Sequence, residues 1–275
     1  MAERQGDGLR EVAAVRRFVR IVPDADGAIP AETIERLAAV VAAHVRLARA
    51  HGASQVRTVA TAAIRAAPNR DELCRAVERI AGVHVEVLSG AEEAALAFAG
   101  AIATLGDAPD GGLGVIDVGG GSCELVTGTA AGGVSWWASL PFGSGLLADR
   151  HLRDDPPTLE QLAAARAEID AALDGIRPPP PDAVLAVGGS ATSLAAAAGG
   201  ELAPETIARV LSVLIEAPAA DAARRLGLPI ERVRLLPAGL LALEAGWLAF
   251  GSAPLRVVEG GLREGVILRA LAGRS

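Results

Sequence analysis

The chain has 275 residues, 51% of them hydrophobic and 21% charged, which supports a folded core and excludes general disorder, although only 3% is aromatic. All 26 basic residues are arginine and tyrosine is absent, so lysine Schiff-base chemistry and the Walker-A and kinase lysines are ruled out. A formal net charge of -7 argues against a long-range field that gathers nucleic acid or anionic lipid, so any anionic ligand must be captured by local groups.

Cys74 and Cys123 form no CxxC pair and the four histidines form no HExxH, which fits a reducing compartment better than a redox or zinc site. The N-terminal MAERQGDGLREVAAVRR is charged where a signal sequence would be apolar, and the long Ala/Gly/Leu runs are broken by Ser190, Thr192 and Glu244. The expectation is a cytoplasmic protein without a membrane span.

In chain order, VAAVRRFVRIV (12–22) reads as a strand and PDADGAIP (23–30) as a turn. Ile34, Leu37, Val41, Val45 and Ala48 step by three and four, predicting a helix that Gly52 stops. A strand over 55–61, a helix capped by Asn69 and a strand over 83–89 follow, giving β-α-β-α-β and hence a layered α/β domain. The second half continues with a helix over 91–105, a strand GLGVIDVG, a β-rich stretch over 123–140, helices near 144–152 and 158–174, and a strand ending at Val187. Pro178 to Pro181 form a stiff connector. In LLPAGLLALEAGWLAF, Leu235, Leu236, Leu240, Leu243 and Trp247 keep helical spacing, which favours core over interface.

Two apolar strands run into glycine-rich loops, IDVGGGS (116–122) and AVGGSATS (186–193), the places where α/β sheets seat ligands. In the first, Gly119, Gly120, Gly121 and Ser122 let backbone N–H groups approach an anion, and Asp117 and Glu124 on either side could hold a divalent cation. A plain hairpin turn with solvated acids is the competing reading. Upstream, Ser89 and Glu92 have the spacing of a capping box, which leaves Glu93 as the carboxylate available to act as a base, or simply to complement the helix dipole. Arg65 follows a strand and could reach a phosphate, or lie on the surface. Gly188, Gly189 and Ser190 could form a second anion loop or a tight turn with a serine cap, and Arg263 of EGGLREGV could add a further cation or belong to a solvated turn.

The succession VATAAIRAAPNRDEL, VEVLSGAEEAALAFAG, GVIDVGGGSCELVTG, LPFGSGLLADRHL, AVGGSATS and EGGLREGV resembles the exopolyphosphatase and guanosine pentaphosphate phosphatase (Ppx/GppA) family along nearly the whole chain. The resemblance implies two ribonuclease-H-like α/β domains of the actin-like, sugar-kinase and Hsp70-like superfamily, with an active-site cleft between them and without the C-terminal HD-type extension of longer members. The expected domains are 1–92 and 93–275, the last helix packing back on the first domain. By the same resemblance Glu93 is the base that activates water, Arg65 lines the phosphate site, Asp117 and Glu124 position Mg2+, and Gly119 to Ser122 form the second phosphate loop. The implied reaction is hydrolysis of a terminal phosphoanhydride of polyphosphate or pppGpp, with a homodimer left open because family members often dimerise.

One part of the family pattern, an opening hairpin with I-D-x-G-T-N-S-x-R, has no match in MAERQGDGLREVAAV, and Asp7 of its GDG tripeptide is no substitute. The expectations that follow are a first sheet short of one or two strands with an exposed edge at 12–22, and an alternative function as a polyphosphate- or alarmone-binding protein without turnover.

Overall fold

A computed structural model describes residues 1–5, 8–106, 109–198 and 202–273, and the chain divides into two units, residues 1–92 with 266–275 and residues 93–265. Asp7 lies outside the described residues.

In the first unit, β1 (Ala2–Gln5) and β2 (Gly8–Glu11) pair antiparallel with each other. Residues 12–24 then run without regular structure, so the strand expected over 12–22 is not formed. The reason is in the spacing: Val12, Val15 and Phe18 recur every third residue between arginines, which gives a strand no apolar face of period two, and past Val12 and Ala13, which pair with Met1, no strand among the described residues runs beside it. Val12, Val15, Phe18 and Val22 remain exposed, while Ile21 packs on the core.

Helix α1 (Ala31–Ala50) is the expected one, but its buried stripe runs through Ile34, Ala38, Ala42 and Val45, with Leu37 and Val41 at its margin. Then come β3 (Thr58–Ala60), α2 (Ala62–Arg65), α3 (Arg70–Ala81) and β4 (Val85–Val87). β3 and β4 are parallel, and Ala60 and Val85 pack with Ile34, Ala38, Leu73 and Val77. Asn69 does not cap α3. Its Oδ1 accepts from Ile29 N at 2.9 Å and its Nδ2 donates to Ile29 O at 2.9 Å, so the amide is spent tying the 23–30 turn to the start of α3.

The second unit is built on a five-stranded sheet. Its elements are α4 (Gly90–Ala103), β5 (Leu113–Val118), β6 (Cys123–Thr129), β7 (Gly133–Leu140), α5 (Ser144–His151), α6 (Leu159–Leu173), β8 (Ala183–Val187) and α7 (Gly188–Ala198). They are followed by α8 (Pro204–Glu216), α9 (Ala219–Leu226), α10 (Ile230–Val233), α11 (Leu236–Ala249), β9 (Leu255–Val257) and α12 (Leu262–Ala272). The strand order is β7-β6-β5-β8-β9, antiparallel from β7 to β5 and parallel from β5 to β9. α12 begins in this unit, and from Val266 its residues belong to the first, where Arg269 Nη2 donates to Glu86 Oε1 at 2.7 Å.

Alternation along β5 and β6 separates two cores. Ile116 and Leu125 face α5, α6 and α11, while Leu113, Val115 and Val126 face Ala94, Phe98 and Ala101 of α4. Each large side chain so buried contributes ~1.5–3 kcal/mol. The α11 segment is core, as expected, but it is buried on nearly all sides instead of along one face. Among the described residues no helix is long and apolar enough to cross a membrane.

Candidate active site

Asp117 and Glu124 are directly opposite each other in the β5–β6 register, and Glu124 is opposite Ser139 of β7. Their positions share the parity of Val115 and Val126, so both carboxylates emerge on the face that α4 covers. The first turn of α4 carries Glu93, one residue before the buried Ala94, and thereby aims a third carboxylate at the same sheet end. The acids beside the glycine loop are therefore not the solvated flanks of a plain turn: Glu124 is 1% and Glu93 5% exposed, and Asp117 is half-buried.

The crowding has an electrostatic consequence. Burial, then Glu93 and Glu264, push the Asp117 carboxyl up to about 6. Burial, then Glu93 and Asp117, push Glu124 up to about 8, although Ser139 Oγ donates to its Oε1 at 2.8 Å and Ser122 also hydrogen-bonds it. Glu92, by contrast, is exposed and is the partner of Ser89, whose N and Oγ donate to Glu92 Oε2 at 2.8 and 2.7 Å while Glu92 N donates back to Ser89 Oγ at 3.2 Å. Those bonds hold the Glu92 carboxyl below its usual range. The capping box thus takes the first glutamate and leaves the second for the cluster.

The glycine loop is held from below by α5. Gly119 N donates to Ser122 O at 2.9 Å and closes the turn, while Ser144 N donates to Gly119 O at 2.9 Å, and Gly145 N and Leu146 N both donate to Gly120 O at 3.0 Å. The otherwise orphaned N–H groups of a helix start are thereby satisfied by loop carbonyls. Among the described residues the N–H groups of Gly120 and Gly121 make no backbone hydrogen bond. Gly143 must be glycine, because a Cβ there would lie 2.6 Å from Gly120 C and 2.7 Å from Gly121 N.

The second loop lies beside the first because β8 is the parallel neighbour of β5. Gly188 has φ +87° and a Cβ there would lie 2.9 Å from Asp117 Oδ1. A Cβ on Gly189 would lie 1.9 Å from Nη1 of Arg232, and Ser190 is buried against Gly239 of α11. Arg263, in the first turn of α12, is largely exposed and its Nη2 is 3.4 Å from Glu264 Oε1. Glu264 Oε2 accepts from Gly261 N at 2.9 Å.

The second unit therefore brings together Glu93, Asp117, Glu124, the Gly119–Ser122 loop and the Gly188–Ser190 loop, with Arg263 at α12. Arg65 belongs to the first unit, where its Nη1 donates to Leu88 O at 2.8 Å. Sequence reasoning missed Ser139, Gly143 and Ser144. For the first, the equal offset of Asp117 and Glu124 from the loop centre fixes their pairing, and the return strand then supplies Ser139; for Gly143 and Ser144, the FGSG signature before a helix is the signal.

A mixed sheet with glycine loops at adjacent strand ends and buried acids beside them defines an α/β protein of the class that seats ligands at strand termini. The chain belongs to the Ppx/GppA phosphatase family, whose profile matches residues 3–273. It is 28% identical over 264 residues to exopolyphosphatase 1 of Mycobacterium leprae, covering 90% of this chain and 77% of that protein. The crystal structure of the Aquifex aeolicus member of the Ppx/GppA family superposes with a TM-score of 0.74 at 28% identity, covering 91% of this chain and 85% of the other. A solved exopolyphosphatase-like protein superposes with a TM-score of 0.84 at 27% identity over 97% and 94% of the two chains. The α/β fold class expected from the sequence is thus the one observed.

Proposed function

We propose that the protein is a hydrolase that removes terminal phosphate from inorganic polyphosphate, with pppGpp as the alternative substrate of the same bond type, and that it works with Mg2+. The observation that carries this reading is the convergence of Glu93, Asp117 and Glu124 beside the Gly119–Ser122 loop. Family membership and the exopolyphosphatase name of the Mycobacterium leprae relative support the substrate class.

Asp117 and Glu124, both held above the usual carboxyl range by burial and by the neighbouring Glu93, are a donor pair suited to a hard cation, which relieves the crowding of negative charge. Among the described residues no three His, Cys, Asp or Glu side chains are placed to enclose an ion by themselves. That fits magnesium, which keeps several waters and takes only one or two carboxylates together with substrate phosphates. Asp117 and Glu124 are the residues that would hold it. When bound, it supplies positive charge that neutralises the phosphoryl oxygens.

The remaining work falls to the chain. The free N–H groups of Gly120 and Gly121 hold the oxygens of the terminal phosphoryl group, on a loop that α5 keeps rigid. Glu93 accepts a proton from water at its carboxylate as the water oxygen attacks the terminal phosphorus. The anhydride P–O bond breaks, its electrons stay on the oxygen of the shortened chain, and orthophosphate leaves. Ser139 and Ser122 orient the Glu124 carboxyl through their hydrogen bonds.

The test is orthophosphate release from polyphosphate, pppGpp and ATP, side by side, with MgCl2 or with excess EDTA. Release from polyphosphate that stops in EDTA is expected. Release that continues in EDTA refutes the magnesium assignment, and release from none of the three refutes the hydrolase.

A further inference from the structure

Glycine inside a helix weakens it relative to alanine and is retained there for a special backbone conformation or for closeness. Gly100 lies inside α4 and Gly265 inside α12, and neither has the left-handed φ that would demand glycine. Closeness is the reason for both. A Cβ on Gly100 would lie 1.9 Å from Gly261 O and 2.8 Å from Gly265 N, and a Cβ on Gly265 would lie 2.0 Å from Leu96 O. Beside them a Cβ on Gly260 would lie 2.1 Å from Gly100 O, and Gly260 N donates to Thr104 Oγ1 at 3.2 Å. The start of α12 thus meets α4 backbone to backbone between Leu96 and Gly100.

The stripe of α4 that makes this contact is the one that carries Glu93. Glu93, Leu96 and Gly100 step by three and four and share a helix face, with Thr104 one turn further on. Ala94, Phe98 and Ala101 pack on the sheet instead. Two surfaces therefore locate α4: the sheet on one side, and the start of α12 on the side that ends in Glu93. From α12, Glu264 closes the crossing turn by accepting from Gly261 N at 2.9 Å, and it joins Glu93 in acting on Asp117. A Cβ does not approach another heavy atom within 3.0 Å, so a methyl at either glycine must drive the two backbones apart by roughly 1 Å. A displacement of about that size in a reacting group can cost about a hundredfold in rate.

We propose that Gly100 and Gly265 are positioning residues for the hydrolysis, and that their backbone contact sets the distance of the Glu93 carboxylate from the attacking water. The proposal rests on the reading of Glu93 as the base. The substrate phosphates are held by the Gly119–Ser122 loop, so disturbing the crossing should lower kcat and leave KM.

The experiment measures kcat and KM for polyphosphate in MgCl2 for the wild type, Gly100→Ala, Gly265→Ala and Thr104→Val. Each substitution is also made in the Glu93→Gln background, and every assay is run well below the melting temperature of the variant. Thr104→Val removes the hydroxyl that accepts from Gly260 N while keeping the side-chain shape, so it reports on the crossing even where a glycine variant fails to fold. Expected are a kcat lowered about tenfold to a hundredfold in the glycine variants and about fivefold in Thr104→Val, with KM within about threefold. In the Glu93→Gln background the same substitutions should change the residual rate by less than about twofold, because a residue that acts through Glu93 has nothing left to act on. A general loss of packing predicts the opposite, equal losses in both backgrounds. Equal losses, an unchanged kcat in variants that fold, or a raised KM with kcat kept would overturn the proposal. Turnover that survives Glu93→Gln overturns the base assignment as well, whereas turnover lost in Glu93→Gln with equal losses from the glycine variants overturns the positioning role alone.

Discussion

Replacing Glu124 with glutamine should stabilise the magnesium-free protein while disabling it. Glu124 is 1% exposed, and burial with Glu93 and Asp117 beside it pushes its carboxyl from 4.5 to about 8. Between those values the folded chain keeps a proton that the unfolded chain has released, so folding stability falls as pH rises through the window and the loss is complete above about 8. At ~1.36 kcal/mol per unit, a window of between three and four units corresponds to at most about 5 kcal/mol. Glutamine keeps the volume and the acceptor for Ser139 Oγ but has no charge to bury. Urea unfolding in EDTA at pH 5 and at pH 8.5 measures this directly. The wild type should lose several kcal/mol between the two, and Glu124→Gln distinctly less, retaining only the part that Asp117 contributes as it titrates near 6. Parallel pH profiles for the two proteins would show that Glu124 is not held protonated by its surroundings, and the electrostatic description of the site would fail.

Gly143→Ala should wreck the loop, because its Cβ must displace the Gly120–Gly121 backbone; a stability loss of about 1–3 kcal/mol in urea unfolding and at least a tenfold fall in phosphate release are expected. Asn69→Ala should cost about 1–3 kcal/mol of stability by leaving both Ile29 backbone groups unpaired. If Asn69 acted only as a cap, replacement by serine would restore that stability; the structure requires that it does not. Glu92→Gln, whose hydrogen bonds go to Ser89 and not to the acid cluster, should leave the rate of phosphate release close to that of the wild type.

The parts of the fold legible in the sequence were those with a local signal. The S-x-x-E spacing gave the Ser89–Glu92 box, and the apolar runs before IDVGGGS and AVGGSATS gave β5 and β8. Where the outcome depended on a distant partner, the reading failed. The segment 12–22 has strand-like composition but, past Ala13, no strand beside it among the described residues, and Asn69 has a cap-like position but a better partner forty residues away. The helices α8 to α10 and the strand β9 are not predicted, although Ile207, Val210, Leu211 and Leu214 of α8 keep helical spacing; α10 and β9, four and three residues long, are too short to show a period. In the site, types and spacing pointed to Asp117, Glu124 and Glu93, but not to their convergence. That comes from cross-strand register and from the packing of α4 on one sheet face.

The central claim is that Glu93 is the base and that the rest of the site binds without it. Orthophosphate release from polyphosphate in MgCl2, measured for the wild type and Glu93→Gln together with the affinity of each for the polymer, tests it most directly. Turnover should fall by about a hundredfold to ten-thousandfold in Glu93→Gln with affinity kept within a few-fold. A variant that still releases phosphate at the wild-type rate would contradict the claim.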